Sequence, residues 1–208
     1  MRLAAGLRRV LWLAPRGHGR PVPLRTWEHQ YQTGGWDYLD GLDELSHYMV
    51  IVGYATLGLE RPDILDVGCG HGRLLQLLPA SSFRSYLGVD FSTEALARAG
   101  RVQLERACFV QGDFETWTPP HPMDVIVFNE SLYNSRRPAE LVKRYSQHLK
   151  ADGRIIISMY QALGGRFIWG KIDSLLRRMD GVRIRHDNGQ VWRVGLFATR
   201  LEGGRESL

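Results

Sequence analysis

Cysteine is almost missing from this chain. Only Cys69 and Cys108 occur among 208 residues. Two thiols so far apart give neither a disulfide framework nor the paired spacing of a metal site, so no metal is expected. Both read as small buried residues of a reducing compartment, which points to the cytoplasm. Long apolar runs are missing as well. None approaches the ~18 residues that a membrane span needs. Acid is missing from residues 1–27, which hold Arg2, Arg8, Arg9, Arg16, Arg20 and Arg25 and no Asp or Glu. The apolar stretch among those arginines is short and interrupted, which is a poor match to a secretory leader. There is no internal repeat and no low-complexity tract.

What remains is the composition of one globular domain. Hydrophobic residues make up 44% and charged residues 24%, far from the disordered range. The net charge is +5 and the sequence pI is about 9.5. A basic surface favours encounter with anionic partners without identifying one. Residues 1–26 read as a basic extension. Leu3, Leu7, Val10 and Leu11 line one helical face there, and Pro15, Gly17, Gly19, Pro21 and Pro23 then break the pattern. Such a segment suits an extra helix, a loose tail, a transit peptide or weak contact with a membrane surface. Residues 27–208 form the domain proper, with 27–60 as a helical cover ahead of the first strand.

From Trp27 the texture changes. Trp27, Tyr31, Trp36 and Tyr38 are dense in aromatic rings, and Leu42, Leu45, Met49 and Val52 follow at helical spacing up to Gly58. Then short apolar strands alternate with helices. Strands are expected at Ile64–Val67, Ser85–Asp90, Cys108–Gln111, Val125–Phe128 and Arg154–Ser158. Helices are expected at Leu74–Leu78, Glu94–Arg106 and Ala139–Leu149. This alternation implies an α/β fold, Rossmann-like and doubly wound, on a mostly parallel sheet. The C-terminal end departs from it. A helix over Phe167–Met179 precedes Val182–His186 and Val191–Ala198, which flank Asn188-Gly189, the signature of a type I′ hairpin. The sheet therefore finishes antiparallel.

The chemistry concentrates at Asp66-Val67-Gly68-Cys69-Gly70-His71-Gly72. A buried strand runs into alternating glycines and then into a helix. Glycine is needed where the backbone turns sharply and a ligand approaches it. The spacing is Gly-x-Gly-x-Gly, not the Gly-x-Gly-x-x-Gly of nicotinamide sites. Asp66 stands just before the glycines, where a carboxylate would repel a pyrophosphate and attract an ammonium group. Asp90 ends the second strand about 20 residues on, the position of an acid that accepts ribose hydroxyls. Its alternative is a helix-capping acid, although Ser92 and Thr93 can cap instead. Phe91 beside it can pack on a purine. Asp113, at the end of the third strand, can take an exocyclic amino group with Phe114 on the ring, or it is an ordinary loop acid. The fourth strand ends in Asn129-Glu130-Ser131-Leu132-Tyr133-Asn134, at the sheet edge where α/β proteins bind ligands. Glu130 can accept a proton and Tyr133 can orient it. The alternatives are a backbone partner for Glu130 and plain packing for Tyr133.

Together these motifs resemble the class I methyltransferases that use S-adenosylmethionine (SAM). Asp66 to Gly72 matches their first motif, Asp90 their second-strand acid, Gly112-Asp113 the third, Asp124 to Glu130 the fourth, and Leu149 to Arg154 the turn before strand five. His71 stands where the family often has an acid or a small residue. The resemblance implies seven strands, a C-terminal antiparallel hairpin and SAM as cofactor. It implies a SAM site drawn from Asp66, Gly68, Cys69, Gly70, Asp90, Phe91, Ser92, Asp113, Phe114 and Asn129. The segment from Trp27 to Asp40 resembles the N-terminal cover of small-molecule methyltransferases, loosely those of nodulation-factor N-methylation and of polysaccharide and secondary-metabolite pathways. That adds Tyr31 and Tyr38 as cofactor or substrate contacts. His29 and His47 are candidate bases or structural histidines.

The expected activity is methyl transfer to an oxygen or nitrogen of a small acceptor, sugar-containing or a secondary metabolite, with Glu130 and Tyr133 as the catalytic pair. The fourth motif lacks the prolines and aromatic residue often found in enzymes that methylate base amino groups, which argues against nucleic acid. The basic surface keeps an RNA or protein methyltransferase as the alternative. A binding module without turnover and a nicotinamide oxidoreductase are disfavoured by the intact acids and by the glycine spacing.

Overall fold

The computed structural model describes residues 23–161 and 165–200. The expected extension over 1–26 lies outside the described residues as far as residue 22. The order is α1 (Leu24–Gln32), a 3-10 turn (Asp37–Asp40), α2 (Leu42–Thr56), β1 (Asp63–Val67), α3 (Arg73–Leu77), β2 (Ser85–Asp90) and α4 (Thr93–Ala99). Next come β3 (Ala107–Gln111), β4 (Met123–Asn129), a 3-10 turn (Leu132–Asn134), α5 (Pro138–Ser146), β5 (Leu149–Tyr160), α6 (Gly165–Leu175), β6 (Arg177–Arg185) and β7 (Val191–Ala198).

The strands form one seven-stranded sheet in the order β3-β2-β1-β4-β5-β7-β6. β1 to β5 run parallel, and β7 is antiparallel to both β5 and β6. Central strands are buried along their length, with no alternation of polar residues: every residue of β1 is buried, as are Val125 to Phe128 of β4. That pattern requires apolar cover on both faces. On one face Leu65, Val67, Ile126, Phe128, Ile155 and Ile157 pack under α5 and α6 through Val142, Tyr145, Trp169 and Ile172. On the other, Ile64, Val125, Val127 and Ile156 pack under α2 and α3 through Ile51, Ala55, Leu74 and Leu75. At the amino ends of the strands, Arg84 and Lys150 tie Asp63 to Asp124, and these cations hold the Asp63 carboxyl well below its usual range against its burial.

Several expectations are corrected in detail. The helix expected to reach Arg106 stops at Ala99. The Gly100 N–H closes its last turn on the Leu96 carbonyl, and the chain then turns towards β3. The helix expected to reach Met179 stops at Leu175, because Arg177, Arg178 and Asp180 pair with the far end of β7. Cys108, expected buried, is exposed, since it lies on β3 at the rim of the sheet. The hairpin falls where Asn188-Gly189 puts it, but the turn differs. Type I′ needs positive φ at both central residues, and Gly189 alone has it, at +89°. Gly189 N–H donates to the His186 carbonyl and His186 N–H to the Gln190 carbonyl, the pattern of the longer, glycine-bulged hairpin.

Candidate active site

A cavity of about 490 Å³ opens at the carboxyl ends of β1 to β5 and is roofed by α1, the first 3-10 turn and the start of α2. That is the edge at which parallel sheets present loops and helix N-termini to a ligand. Its size lies in the range of small-molecule sites, roughly 300–1,000 Å³.

The floor is the glycine loop. Gly68, Gly70 and Gly72 have φ of +77°, +54° and +76°, a region side chains rarely adopt. Space excludes a side chain there as well. A Cβ on Gly68 would lie 2.6 Å from Ser131 Cβ, and one on Gly70 would lie 2.7 Å from the Tyr31 hydroxyl oxygen. The loop is fastened from beneath, with Gly68 and Cys69 N–H both donating to the Val89 carbonyl. Ser131 Oγ donates to the Val67 carbonyl at 2.6 Å, joining the ends of β1 and β4.

Asp66 is buried at the end of β1. Its Oδ2 accepts from the Tyr86 hydroxyl at 2.6 Å, while its Oδ1 is buried with no partner among the described residues. Burial pushes its pKa up to about 7, against the pull of Tyr86 and with help from the Asp90 charge. Asp90 is also buried, and each of its oxygens accepts one backbone N–H, from Gly70 at 2.9 Å and Ser92 at 3.0 Å. A carboxylate oxygen has a second lone pair, so both retain acceptor capacity. Burial raises the Asp90 pKa while these backbone donors lower it.

The structure brings most of the sequence-expected residues to this one cavity. Tyr31, Tyr38, Asp66, Gly68, Cys69, Gly70, Asp90, Phe91, Asp113, Phe114, Asn129 and Glu130 all line it. Asn129 Oδ1 is buried there without a partner among the described residues. Asp113 is exposed at the rim and accepts the Glu115 N–H through Oδ1 at 2.9 Å. Ser92 does not line the cavity. It caps α4, its Oγ accepting from Ala95 N–H at 3.1 Å. Tyr133 is also off the wall and donates its hydroxyl to Glu130 Oε2 at 3.0 Å. Glu130 has φ of +52° and further accepts from Tyr160 N–H and the Ser158 hydroxyl. Burial, then the nearby Glu44 charge, pushes its pKa up to about 8. His29 is exposed on α1 and off the cavity wall. His47 is fully buried and stacks on Trp192 at 5.1 Å.

Glu28 and Arg98 also hold the site together and were not singled out by sequence reasoning. Glu28 of α1 reaches the N-terminus of α4. Its carboxylate accepts from Thr93 N–H, Glu94 N–H and the hydroxyls of Ser92 and Thr93. A carboxylate at free helix N–H groups is favourable, and these hydrogen bonds lower its pKa against its partial burial. Nothing local marks a glutamate 65 residues away as a cap. Arg98 of α4 pairs with Asp37 of the cover. His71 Nε2 sits 3.1 Å from Asp40 Oδ1, so the unusual residue of the glycine loop also grips the cover. Trp27 and Trp36 stack at 4.9 Å above Phe91 and Tyr31.

Chemically, the cradle is a glycine floor, a carboxylate with one oxygen unpartnered among the described residues, and a second carboxylate on the cavity wall. It suits a zwitterionic nucleoside and repels a pyrophosphate. Comparison with known proteins gives the same direction. The methyltransferase-domain family matches residues 46–202. Trans-aconitate 2-methyltransferase of Azoarcus sp. (strain BH72) is 32% identical over 97 residues, covering 46% of this chain and 38% of that protein. Ubiquinone biosynthesis O-methyltransferase of Yersinia enterocolitica is 31% identical over 106 residues, 49% of this chain and 43% of that one. The aligned stretch thus spans about two fifths of these curated relatives. Among solved structures, N-methyltransferase NodS from Bradyrhizobium japonicum WM9, in complex with S-adenosyl-L-homocysteine (SAH), superposes with a TM-score of 0.70 at 14% identity, over 79% of this chain and 91% of that one.

Proposed function

This chain belongs to the methyltransferase-domain family, and from that premise we propose that it transfers the methyl group of SAM to an oxygen or nitrogen of a small-molecule acceptor. The observation that carries the reading is Asp66, whose buried, unpartnered Oδ1 stands beside the glycine cradle. An ammonium group satisfies it and a phosphate does not. Gly68 and Gly70 let the ligand lie on the backbone, Asp90 takes the ribose hydroxyls on its spare lone pairs, and Asp113 and Phe114 receive the adenine. Tyr31 and Tyr38 close over it from the cover. Relatives named for trans-aconitate and for ubiquinone biosynthesis support a small acceptor.

The bound cofactor supplies an electrophilic methyl on a sulfonium, and alignment with exclusion of water carries most of the rate. The cover and its aromatic stack exclude water. Glu130 takes the proton released by the acceptor, and Tyr133 holds its carboxylate in place. A base must be ionised to act, so kcat/KM is expected to rise as pH passes about 8, the value to which Glu130 is raised. Glu130→Gln is expected to lower kcat by ~10²-fold or more with SAH affinity nearly unchanged.

The direct test is calorimetric titration of SAH, with NAD as a control, into wild type and Asp90→Ala. Wild type is expected to bind SAH and not NAD, and loss of the ribose acceptor is expected to cost roughly 1.5–3 kcal/mol, a ten- to hundredfold loss in affinity. NAD binding without SAH binding would overturn the reading.

A further inference from the structure

The outer strands β6 and β7 carry a cluster of arginines on the face turned to α6. Arg178 covers the Phe197 ring at 4.6 Å and the Trp169 ring at 5.5 Å. Its Nε donates to Asp173 Oδ1 at 2.9 Å. Gly181 and Gly195 stand opposite each other across the two strands. A Cβ on Gly181 would lie 2.8 Å from Arg178 Nη1, and one on Gly195 2.9 Å. This glycine pair therefore makes the room that the guanidinium fills. Arg193 of β7 lies over Trp169 at 4.4 Å and 3.6 Å from Asp173 Oδ2. Arg200 Nη2 donates to the Asp173 carbonyl at 2.8 Å.

Arg183 of β6 is directly opposite Arg193. Side chains so placed stand about 5 Å apart at Cβ, and like charges there repel. Arg185 follows two residues on and shares the face. Both Arg183 and Arg185 are exposed. Among the described residues neither has an ion pair, and Asp173 is the acid that Arg178 and Arg193 meet. Asp180 turns to the opposite face, where the Tyr54 hydroxyl donates to it. Burial, then the charges of Arg178 and Arg183, holds the Arg193 pKa down against the pull of Asp173.

The cluster reaches the cavity end of the sheet. Ile184, between Arg183 and Arg185, pairs with Trp192, which lines the cavity. Phe167, in the first turn of α6, is 81% exposed. That helix follows the carboxyl end of β5, which also opens on the cavity.

Charges on an edge strand protect it from pairing with other strands. That purpose needs neither a facing pair of like charges nor a glycine seat for a third arginine. Cations gathered round one acid attract an anionic partner. An exposed aromatic ring beside them is the pattern of a surface that meets anionic lipid, the ring entering the headgroup layer and the cations meeting its charges. We propose that the β6–β7 face, through Arg183, Arg185, Arg193 and Phe167, docks on an anionic phospholipid surface and holds the cavity mouth beside it. This face lies outside the methyl-transfer site, and the proposal stands or falls without it.

The experiment is sedimentation of the full chain with vesicles of phosphatidylcholine, alone or with about 30% phosphatidylserine. Binding to the anionic vesicles is expected to be at least tenfold tighter, and to be lost on raising salt from about 0.1 M to about 1 M. The double variant Arg183→Glu, Arg185→Glu is expected to lose most of it, with an unchanged Tm to show that the chain is folded. Should that variant unfold, Arg185→Gln alone, at the end of β6, is expected to weaken vesicle binding severalfold. The basic extension over 1–26 is intact in both variants, so binding that survives them belongs elsewhere and overturns the proposal. Equal binding to the neutral vesicles, no binding to either, or a tighter hold on poly(U) RNA than on the anionic vesicles overturns it as well.

Discussion

Asp66 is the residue at which stability and function pull apart. Its carboxyl is buried, one oxygen lacks a partner, and burial lifts its pKa from 3.8 to about 7. A carboxyl raised on folding binds its proton more tightly in the folded state. The stability it contributes is fully present below the unfolded value and is lost as pH rises through about 7. Asp66→Asn has no charge to bury and still accepts from Tyr86. Without ligand, its Tm is expected to exceed that of wild type by several degrees at pH 8.5, with the gap closing towards pH 4. It is also expected to bind SAH more weakly, because an amide carries no charge to pair with an ammonium. A variant that gains no stability at high pH, or that binds SAH as wild type does, removes Asp66 from its proposed place. At this scale the sequence was legible where residues act through the backbone position they occupy. Asp66, Gly68, Gly70, Asp90 and Glu130 could be placed from strand ends alone. Ser92 could not, since a serine at a helix start serves either the ligand or the cap, and here it serves the cap.

Among the elements, the cover is the one whose attachment was hidden. Its aromatic residues announce a packed segment, but its grip on the domain runs through Glu28 at the N-terminus of α4 and through Arg98 and His71. Partners far apart in sequence carry no periodic signal. Removal of a helix cap costs about 0.5–2 kcal/mol, and here the cap also joins two elements. Glu28→Ala is expected to weaken SAH binding roughly tenfold and to speed amide exchange in α1 and α4, leaving the protection of β1 and β4 unchanged. Unaltered exchange in α1 would show that the aromatic stack alone holds the cover. Boundaries elsewhere slipped for a related reason. Helical periodicity continues past Leu175, yet β7 offers hydrogen-bonding partners to Arg177–Asp180, and the sheet wins. Pairing of that kind is visible only once the sheet is assembled.

For the whole molecule, the alternation of apolar strands with helices was enough to specify a doubly wound sheet, and Asn188-Gly189 its antiparallel end. The order β3-β2-β1-β4-β5-β7-β6 then has a consequence that no single motif carries. It sets the ends of β1 and β4 side by side at the centre, so the glycine loop and the Glu130 end of β4 share one cavity under one cover. A ligand there touches both halves of the sheet as well as the roof, and its binding energy counts towards global stability. For one site the gain is RT ln(1 + [L]/Kd), about 2.7 kcal/mol at a hundredfold excess over Kd. A domain of this size shifts by roughly 2–4 °C per kcal/mol. Saturating SAH is therefore expected to raise Tm by about 5–10 °C in a single cooperative transition, and NAD at the same concentration to leave it unchanged. A split transition, with only part of the molecule responding to SAH, would mean that the cover and the sheet do not act as one unit and that the site is built by the strand ends alone.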